Sequence, residues 1–118
     1  MNELLLAVDD NQQILNLLSL ILRRAGFRVA TAVTGAEARA ALADEFPALA
    51  ILDMSLPDTT GLELLEFIRE TSDIPVIILS AMEETSGSVG KVSGVRFVVK
   101  PFDPAELIAN IKQAIQTH

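Results

Sequence analysis

Hydrophobic positions in this chain fall into two alternating arrangements. Short unbroken runs, Leu4 to Val8, Ala48 to Leu52, Pro75 to Leu79 and Val95 to Val99 with Arg96 inside it, are bounded by turn-forming residues and are too short for helices. They read as strands, the driest of them buried on both faces. Between them lie stripes at helical spacing. From Asn11 to Ala25 the residues Ile14, Leu17, Leu18, Ile21, Leu22 and Ala25 share one predicted face, with Asn16, Ser19 and Arg23 opposite and Gly26 closing the helix. Thr34 offers an N-cap for a second helix through about Asp44. A third runs from Gly61 to about Thr71, with Leu64, Leu65, Phe67 and Ile68 predicted inward and Glu63, Glu66 and Arg69 outward.

Two strands look wetter. Phe27, Val29 and Thr31 alternate with Arg28 and Ala30, which predicts one moist face and a sheet edge; Arg96 puts the Val95 to Val99 strand at the other edge. Asp103 as N-cap, Pro104 at N1 and Glu106 at N3 start a last helix with the stripe Leu107, Ile108, Ile111, Ala114 and Ile115. The pattern is weakest between Ala81 and Gly94. Each interior glycine there costs a helix roughly 1 kcal/mol relative to alanine, so the fourth helix is expected to be short, frayed or partly loop. Five strands alternating with five helices predict an α/β fold, a doubly wound parallel sheet in the flavodoxin-like order 2-1-3-4-5, as one domain over residues 1–118.

Composition narrows the chemistry. A domain of this length buries roughly two-thirds of its unfolded surface, and with phenylalanine as its only aromatic residue the core must be aliphatic. There is no cysteine, and the one histidine is the terminal His118, so any metal must take oxygen ligands, which favours magnesium. A net charge of −7 opposes direct nucleic acid binding, which depends on Lys and Arg neutralising phosphates. The amino-terminal segment lacks a basic signal-peptide flank, and no apolar run is long enough to span a bilayer; the expectation is a cytoplasmic protein without a membrane partner.

Four predicted strand ends carry polar side chains to one rim: Asp9 and Asp10, Asp53, Ser80, and Lys100. Ligands of open parallel sheets bind outside the carboxyl ends of the strands. Each residue also has a plain structural reading. Asp10, with Gln13 three positions on, resembles a capping box; Asp53 suits a turn, Ser80 a local hydrogen bond, and Lys100 a solvated position. Together they mean more, because the first, third and fourth strands are neighbours in this topology. Carboxylates about 5 Å apart at an effective dielectric near 20 repel by roughly 3 kcal/mol per pair. Lys100 supplies one compensating charge, and Mg²⁺ on two carboxylates and a main-chain carbonyl would supply the rest. Such a site suits phosphoryl transfer with a carboxylate nucleophile.

The segments Val8-Asp9-Asp10-Asn11, Leu52-Asp53-Met54-Ser55-Leu56-Pro57 with Gly61, Leu79-Ser80-Ala81 and Val99-Lys100-Pro101-Phe102 together resemble the receiver domain of two-component response regulators, the CheY-like family. The resemblance covers the whole chain. It implies that Asp53 is the phosphoacceptor, that Asp10 ligates Mg²⁺ directly and Asp9 through water, and that the Ser55 carbonyl completes the protein ligands. Ser80 and Lys100 would bind the phosphoryl oxygens, and a cis peptide would precede Pro101. Phe97 would be the switch aromatic, following Ser80, and the output face would comprise the fourth helix, fifth strand and last helix. The implied partners are a histidine kinase or histidine phosphotransfer protein as donor, an unknown output partner or effector domain, and a second copy in a phosphorylation-dependent homodimer. The domain would catalyse its own Mg²⁺-dependent aspartyl phosphorylation and dephosphorylation. Ser55 and Met82, each two residues past a site group, would influence the lifetime of the acyl phosphate.

Other readings keep the fold and change the use. A phosphorylation-independent interaction module needs none of the site chemistry. A phosphohydrolase of the haloacid-dehalogenase type carries Asp-x-Asp at its nucleophile, where this chain has Ser55. A flavin site lacks its phosphate-cradling loop after the first strand. The segment Val92-Ser93-Gly94-Val95-Arg96 stands where receivers usually carry a Gly-Ala-Asp-Asp-like turn, and the stretch from Ser80 to Lys100 is slightly short. Its glycine and serine content predicts elevated mobility from Glu83 to Gly94. Amide hydrogen exchange should be faster there than in the third helix, and equal protection of the two would refute this expectation.

Overall fold

Backbone groups in a run of apolar residues buried on both faces have no access to water, so each such strand must be paired on both sides. A computed structural model, which describes residues 3–81 and 94–117, shows how this is met. The elements are β1 (Leu4–Val8), α1 (Gln12–Arg24), β2 (Arg28–Ala32), α2 (Gly35–Asp44), β3 (Leu49–Asp53), α3 (Gly61–Arg69), β4 (Val76–Ser80), β5 (Val95–Val99) and α4 (Pro104–Thr117). The strands form one parallel sheet in the order β2-β1-β3-β4-β5. The fully dry β3 and β4 lie inside, and the wetter β2 and β5 are the edges. Four helices occur among the described residues. The helix expected between Ala81 and Gly94, and the mobility expected from Glu83 to Gly94, concern residues 82–93, which lie outside them, as does Met82.

The sheet's side-chain period of two sorts the core into two layers. On one face Leu6, Val8, Ala50, Leu52 and Ile78 pack with Ala38 and Leu42 of α2 and Leu64, Leu65 and Ile68 of α3. On the other, Leu5, Ala7, Ile51, Ile77 and Leu79 meet Leu15, Leu18 and Leu22 of α1 and Leu107, Ile111 and Ala114 of α4. Helices therefore pack against both faces of the sheet.

Three helix and strand expectations need correction. The buried stripe of α1 is Leu15, Leu18 and Leu22, and Leu17 is 45% exposed: the i, i+3, i+7 row points at the sheet, one position around from the predicted face. Phe67 is exposed as well, because Leu64, Leu65 and Ile68 already fill the space between α3 and the sheet; the Arg39 guanidinium lies 5.4 Å from its ring centroid. In β2 the solvated positions are Arg28 and Thr31, on opposite faces, since α2 packs over Ala30 and Ala32. Arg28 instead meets Glu45 at 2.9 Å.

Local signals explain the helix ends. Asn11, not Asp10, caps α1, its side-chain oxygen accepting from Gln13 N (3.0 Å) and Ile14 N (3.2 Å), so the capping-box reading of Asp10 fails and that carboxylate stays exposed. Gly26 takes φ +99° in a Schellman ending, with Phe27 N donating to Leu22 O at 3.1 Å. Thr60 and Glu63 form a capping box that starts α3.

The face assignment of α1 is testable. Leu18 is fully buried, so Leu18→Ala should cost about 3 kcal/mol, whereas Leu17→Ala should stay within about 0.5 kcal/mol of the native protein in urea denaturation.

Candidate functional site

Parallel strands all finish at the same edge of the sheet, and the register decides which terminal residues become neighbours. Val8 aligns with Leu52, so Asp9 follows β1 where Asp53 ends β3. Asp53 aligns with Leu79, and Ser80 with Val99, which brings Ser80 and Lys100 to the next positions along the rim. Main-chain bonds continue past the strands: Asp9 N to Ala32 O (3.1 Å), Met54 N to Leu79 O (2.9 Å) and Lys100 N to Ser80 O (2.8 Å). Gly61 adds a further constraint. Its N–H donates to Met54 O at 2.9 Å, and a Cβ there would lie 2.7 Å from Asp53 O, so the start of α3 can press against the Asp53 main chain only because residue 61 is glycine.

The side chains at this rim are buried and charged. Asp9 is fully buried, Asp53 is 7% exposed and Ser80 4%, while Asp10 faces solvent. Carboxylate oxygens of Asp9, Asp10 and Asp53 all lie within 4.8 Å of one another. Lys100 Nζ sits between two of these groups, donating to Asp53 Oδ1 at 3.2 Å and lying 3.1 Å from Asp9 Oδ2. The latter contact is an ion pair off the hydrogen-bonding angle, so Asp9 Oδ2 is buried with no hydrogen bond, whereas Asp9 Oδ1 accepts from Asn11 N at 2.9 Å.

These contacts set the protonation equilibria. Burial, and then the charge of Asp9, push the Asp53 carboxyl above the ordinary aspartate range, against the pull of Lys100 and the Ser55 N–H. Burial alone would pull the Lys100 ammonium down, but the close contacts and charges of Asp9 and Asp53 together outweigh it and raise its pKa. One ammonium against three carboxylates leaves an excess of two negative charges. A hard divalent cation with oxygen ligands suits that excess, and Asp9 Oδ2 is a buried acceptor with capacity to spare.

The remaining candidates lie around this cluster. Ser55 is exposed in the loop after β3 and pairs with Thr60 in an isolated antiparallel bridge. The peptide between Lys100 and Pro101 is cis. Phe97 stands apart along β5, beside Ile78, partly buried against the α2/α3 side of the core. Two participants were not anticipated. Asn11 ties Asp9 to the start of α1, and Asp58 reaches the first N–H groups of α2. Asn11 carried a readable N-cap signal, but nothing in the sequence joins Asp58 to residues more than twenty positions earlier.

Comparison with known proteins places this geometry in context. Residues 5–112 match the family model described as the response regulator receiver domain. The chain is 41% identical over 117 residues to the transcriptional regulatory protein GltR of Pseudomonas aeruginosa, covering 95% of this chain and 48% of that protein. It is 38% identical over 115 residues to KdpE of Mycobacterium tuberculosis, covering 96% and 51%. The chain thus spans about half the length of these relatives. Among solved structures, a response regulator receiver domain protein (CheY-like) from Methanospirillum hungatei superposes with a TM-score of 0.89 at 31% identity, over 99% of this chain and 96% of that one. A response regulator from Chloroflexus aurantiacus gives 0.89 at 28% identity, over 98% and 99%.

The raised pKa of Asp53 has a definite sign. The folded state holds this proton more tightly than the unfolded chain, so the contribution to stability is full at low pH and is lost as pH rises through the folded value. At pH 7 without divalent cations, the ionised Asp53 opposes folding. Asp53→Asn should therefore be more stable than the native protein by on the order of 1 kcal/mol at neutral pH, with the gain shrinking as acid protonates the native carboxyl. Urea midpoints across a pH series measure this, and a variant less stable than native at pH 7 would contradict it.

Proposed function

Because this chain belongs to the family of response regulator receiver domains, we propose that it accepts a phosphoryl group on Asp53 from a phosphohistidine donor and acts as a switch in a two-component pathway. The observation that carries this reading is the partly buried Lys100 ammonium held between Asp9 and Asp53 at 3.1 and 3.2 Å, with Asp10 beside them. An aspartate with this surround is poised as a nucleophile rather than as a turn residue.

In the transfer, an Asp53 carboxylate oxygen attacks phosphorus, the phosphorus–nitrogen bond of the donor breaks, and the leaving imidazole retains a proton. An acyl phosphate on Asp53 results. Lys100 moves no proton in this step; its ammonium stays charged because its pKa is raised, and it binds the oxygens on which charge accumulates. The Ser80 hydroxyl, buried at the same rim, hydrogen-bonds a phosphoryl oxygen of the product. Asp9, Asp10, Asp53 and the Ser55 carbonyl would hold Mg²⁺, which when bound neutralises the phosphoryl charge. Hydrolysis resets the domain: water attacks phosphorus, the acyl-oxygen bond to phosphorus breaks, and Asp53 returns as a carboxylate with release of inorganic phosphate. Since the protein's own residues make up this machinery, a small acyl phosphate should also serve as donor.

The partners follow from the same reading. A histidine kinase or histidine phosphotransfer protein supplies the group, and a single receiver domain over residues 1–118 takes it. No described helix is long and apolar enough to cross a membrane, and we place the domain in the cytoplasm with its donor. A net charge of −7 leaves nucleic acid contact to another domain or partner rather than to this chain. The switched surface includes Phe97, β5 and α4, together with the segment before β5, and is where an output partner or a second phosphorylated copy would bind.

Incubation with acetyl phosphate and Mg²⁺ should add one phosphoryl group, detected by intact mass, stable to acid and labile to base. Asp53→Asn and chelation of Mg²⁺ should each abolish it. Absence of the adduct from the native protein would overturn the proposal, and a partner that binds equally to native protein and Asp53→Ala would indicate the phosphorylation-independent module.

A further inference from the structure

The loop from β3 to α3, residues 54–60, contains Ser55, the residue whose carbonyl would complete the cation site. Its base is well fixed. Met54 is bonded through its N–H to β4 and through its carbonyl to Gly61, Ser55 bridges to Thr60, Leu56 N donates to Thr59 O at 3.1 Å, and the Leu56 side chain is buried. The tip, with Pro57 and Asp58 exposed, has a separate tether. Asp58 Oδ1 accepts from Gly35 N at 2.8 Å and Oδ2 accepts from Ala36 N at 3.0 Å, so one carboxylate straddles the first two N–H groups of α2.

Those donors have no partner within the helix and mark its positive end, which makes the contact charge-assisted. The Gly35 N–H, foremost among its contacts, holds the Asp58 carboxyl below the ordinary aspartate range. The fit is close. A side chain at position 35 would overlap the Thr59 methyl and meet Asp58 Oδ1 at 3.1 Å. Yet α2 has its own cap, since Thr34 Oγ1 accepts from Glu37 N at 3.1 Å and the Glu37 carboxylate accepts from Val33 N at 2.9 Å. The carboxylate of Asp58 is therefore more than a helix cap. It fastens the tip of the site loop to an element on the α2/α3 side of the sheet, three residues beyond Ser55.

We propose that Asp58 is a positioning residue, which by holding Gly35 and Ala36 fixes the loop that presents the Ser55 carbonyl and so sets cation affinity at the Asp53 site. The inference rests on the metal-dependent reading above. It makes α2 a participant in the site: coupling is reciprocal, so Mg²⁺ binding should in turn increase hydrogen-exchange protection of the Gly35 and Ala36 amides.

The test compares native protein, Asp58→Ala, Asp58→Asn and Thr34→Ala, with Mg²⁺ affinity read by calorimetry and stability by melting in the absence of metal. Asp58→Ala should weaken Mg²⁺ binding about tenfold, the low end of the effect of residues that orient metal ligands. Its phosphorylation by acetyl phosphate should be slow at limiting Mg²⁺ and recover at saturating Mg²⁺. Asp58→Asn, which keeps one acceptor, should fall between, and remains informative if the alanine variant folds poorly. Thr34→Ala loses a cap of the same helix and should melt earlier while binding Mg²⁺ as the native protein does. Native Mg²⁺ affinity in Asp58→Ala, or equal weakening in Thr34→Ala, would overturn the role of Asp58. A native protein that binds no Mg²⁺ would instead overturn the metal-dependent reading itself.

Discussion

A single ammonium shared by two buried carboxylates is the interaction on which the rim of this sheet depends. Asp9 is fully buried, Asp53 almost so, and each lies close to Lys100 Nζ. Placing charge in such surroundings is costly, and removing one partner of a buried pair costs more than the pair itself contributes. The three residues come from the ends of β1, β3 and β5, and their strands are separated in sequence by helices that carry the chain back. The compensation thus exists only when the parallel sheet is complete. Lys100 does not balance the cluster, because Asp10 adds a third carboxylate within the same 4.8 Å. In the proposed reading this imbalance is what favours a bound cation and a nucleophilic Asp53, and the repulsion it leaves acts against the stability of the fold.

The aliphatic core supplies the rigidity this needs. β3 and β4 are buried along their whole length between layers of Leu, Ile, Val and Ala, and their ends cannot shift without disturbing both layers. Gly61 removes another freedom, since the start of α3 rests directly on the carbonyl of Asp53. What can adjust is the exposed tip of the loop 54–60, at Pro57 and Asp58, and the exposed Pro101 side of the rim. Asp58 reduces the first of these freedoms by tying the loop to α2.

Much of this was readable from the sequence, and the limits have physical causes. Apolar runs ending in Asp9, Asp53, Ser80 and Lys100 specified both the sheet and its rim, and the driest of them, β3 and β4, had to lie inside because strands buried on both faces need a partner on each side. The edges were legible in Arg28 and Arg96, which reach Glu45 just past the end of α2 and Asn110 on α4. Helix faces were less so. On α1 the alternatives Leu15 and Leu17 are chemically identical, and only the approach of α1 to the sheet decides between them. Phe67 was misplaced for a related reason: a large apolar residue beside Leu64 and Ile68 looks inward by pattern, but the space was already filled. Asp58 could not be found at all, because its partners are backbone N–H groups, which every sequence possesses and no sequence distinguishes.

The placement of the rim residues also bears on where a change of charge at Asp53 can be relieved. An acyl phosphate enlarges the group at the end of β3 and adds negative charge beside Asp9. β3 is paired on both sides, with β1 and β4, and its residues are buried throughout, so little movement is available to it. Among the described strands β5 is paired on one side only, and its residues after Val95 are partly exposed. It carries Lys100 at its end and follows Ser80 through the bond from Lys100 N to Ser80 O. A phosphoryl group that attracts the Lys100 ammonium and the Ser80 hydroxyl therefore pulls on the strand whose displacement disrupts the least packing. Phe97, partly buried on that strand against the core, is a large side chain whose contact area changes when the strand adjusts. In the proposed switch the phosphoryl signal leaves through β5 because that edge is the softest element in direct contact with the charge.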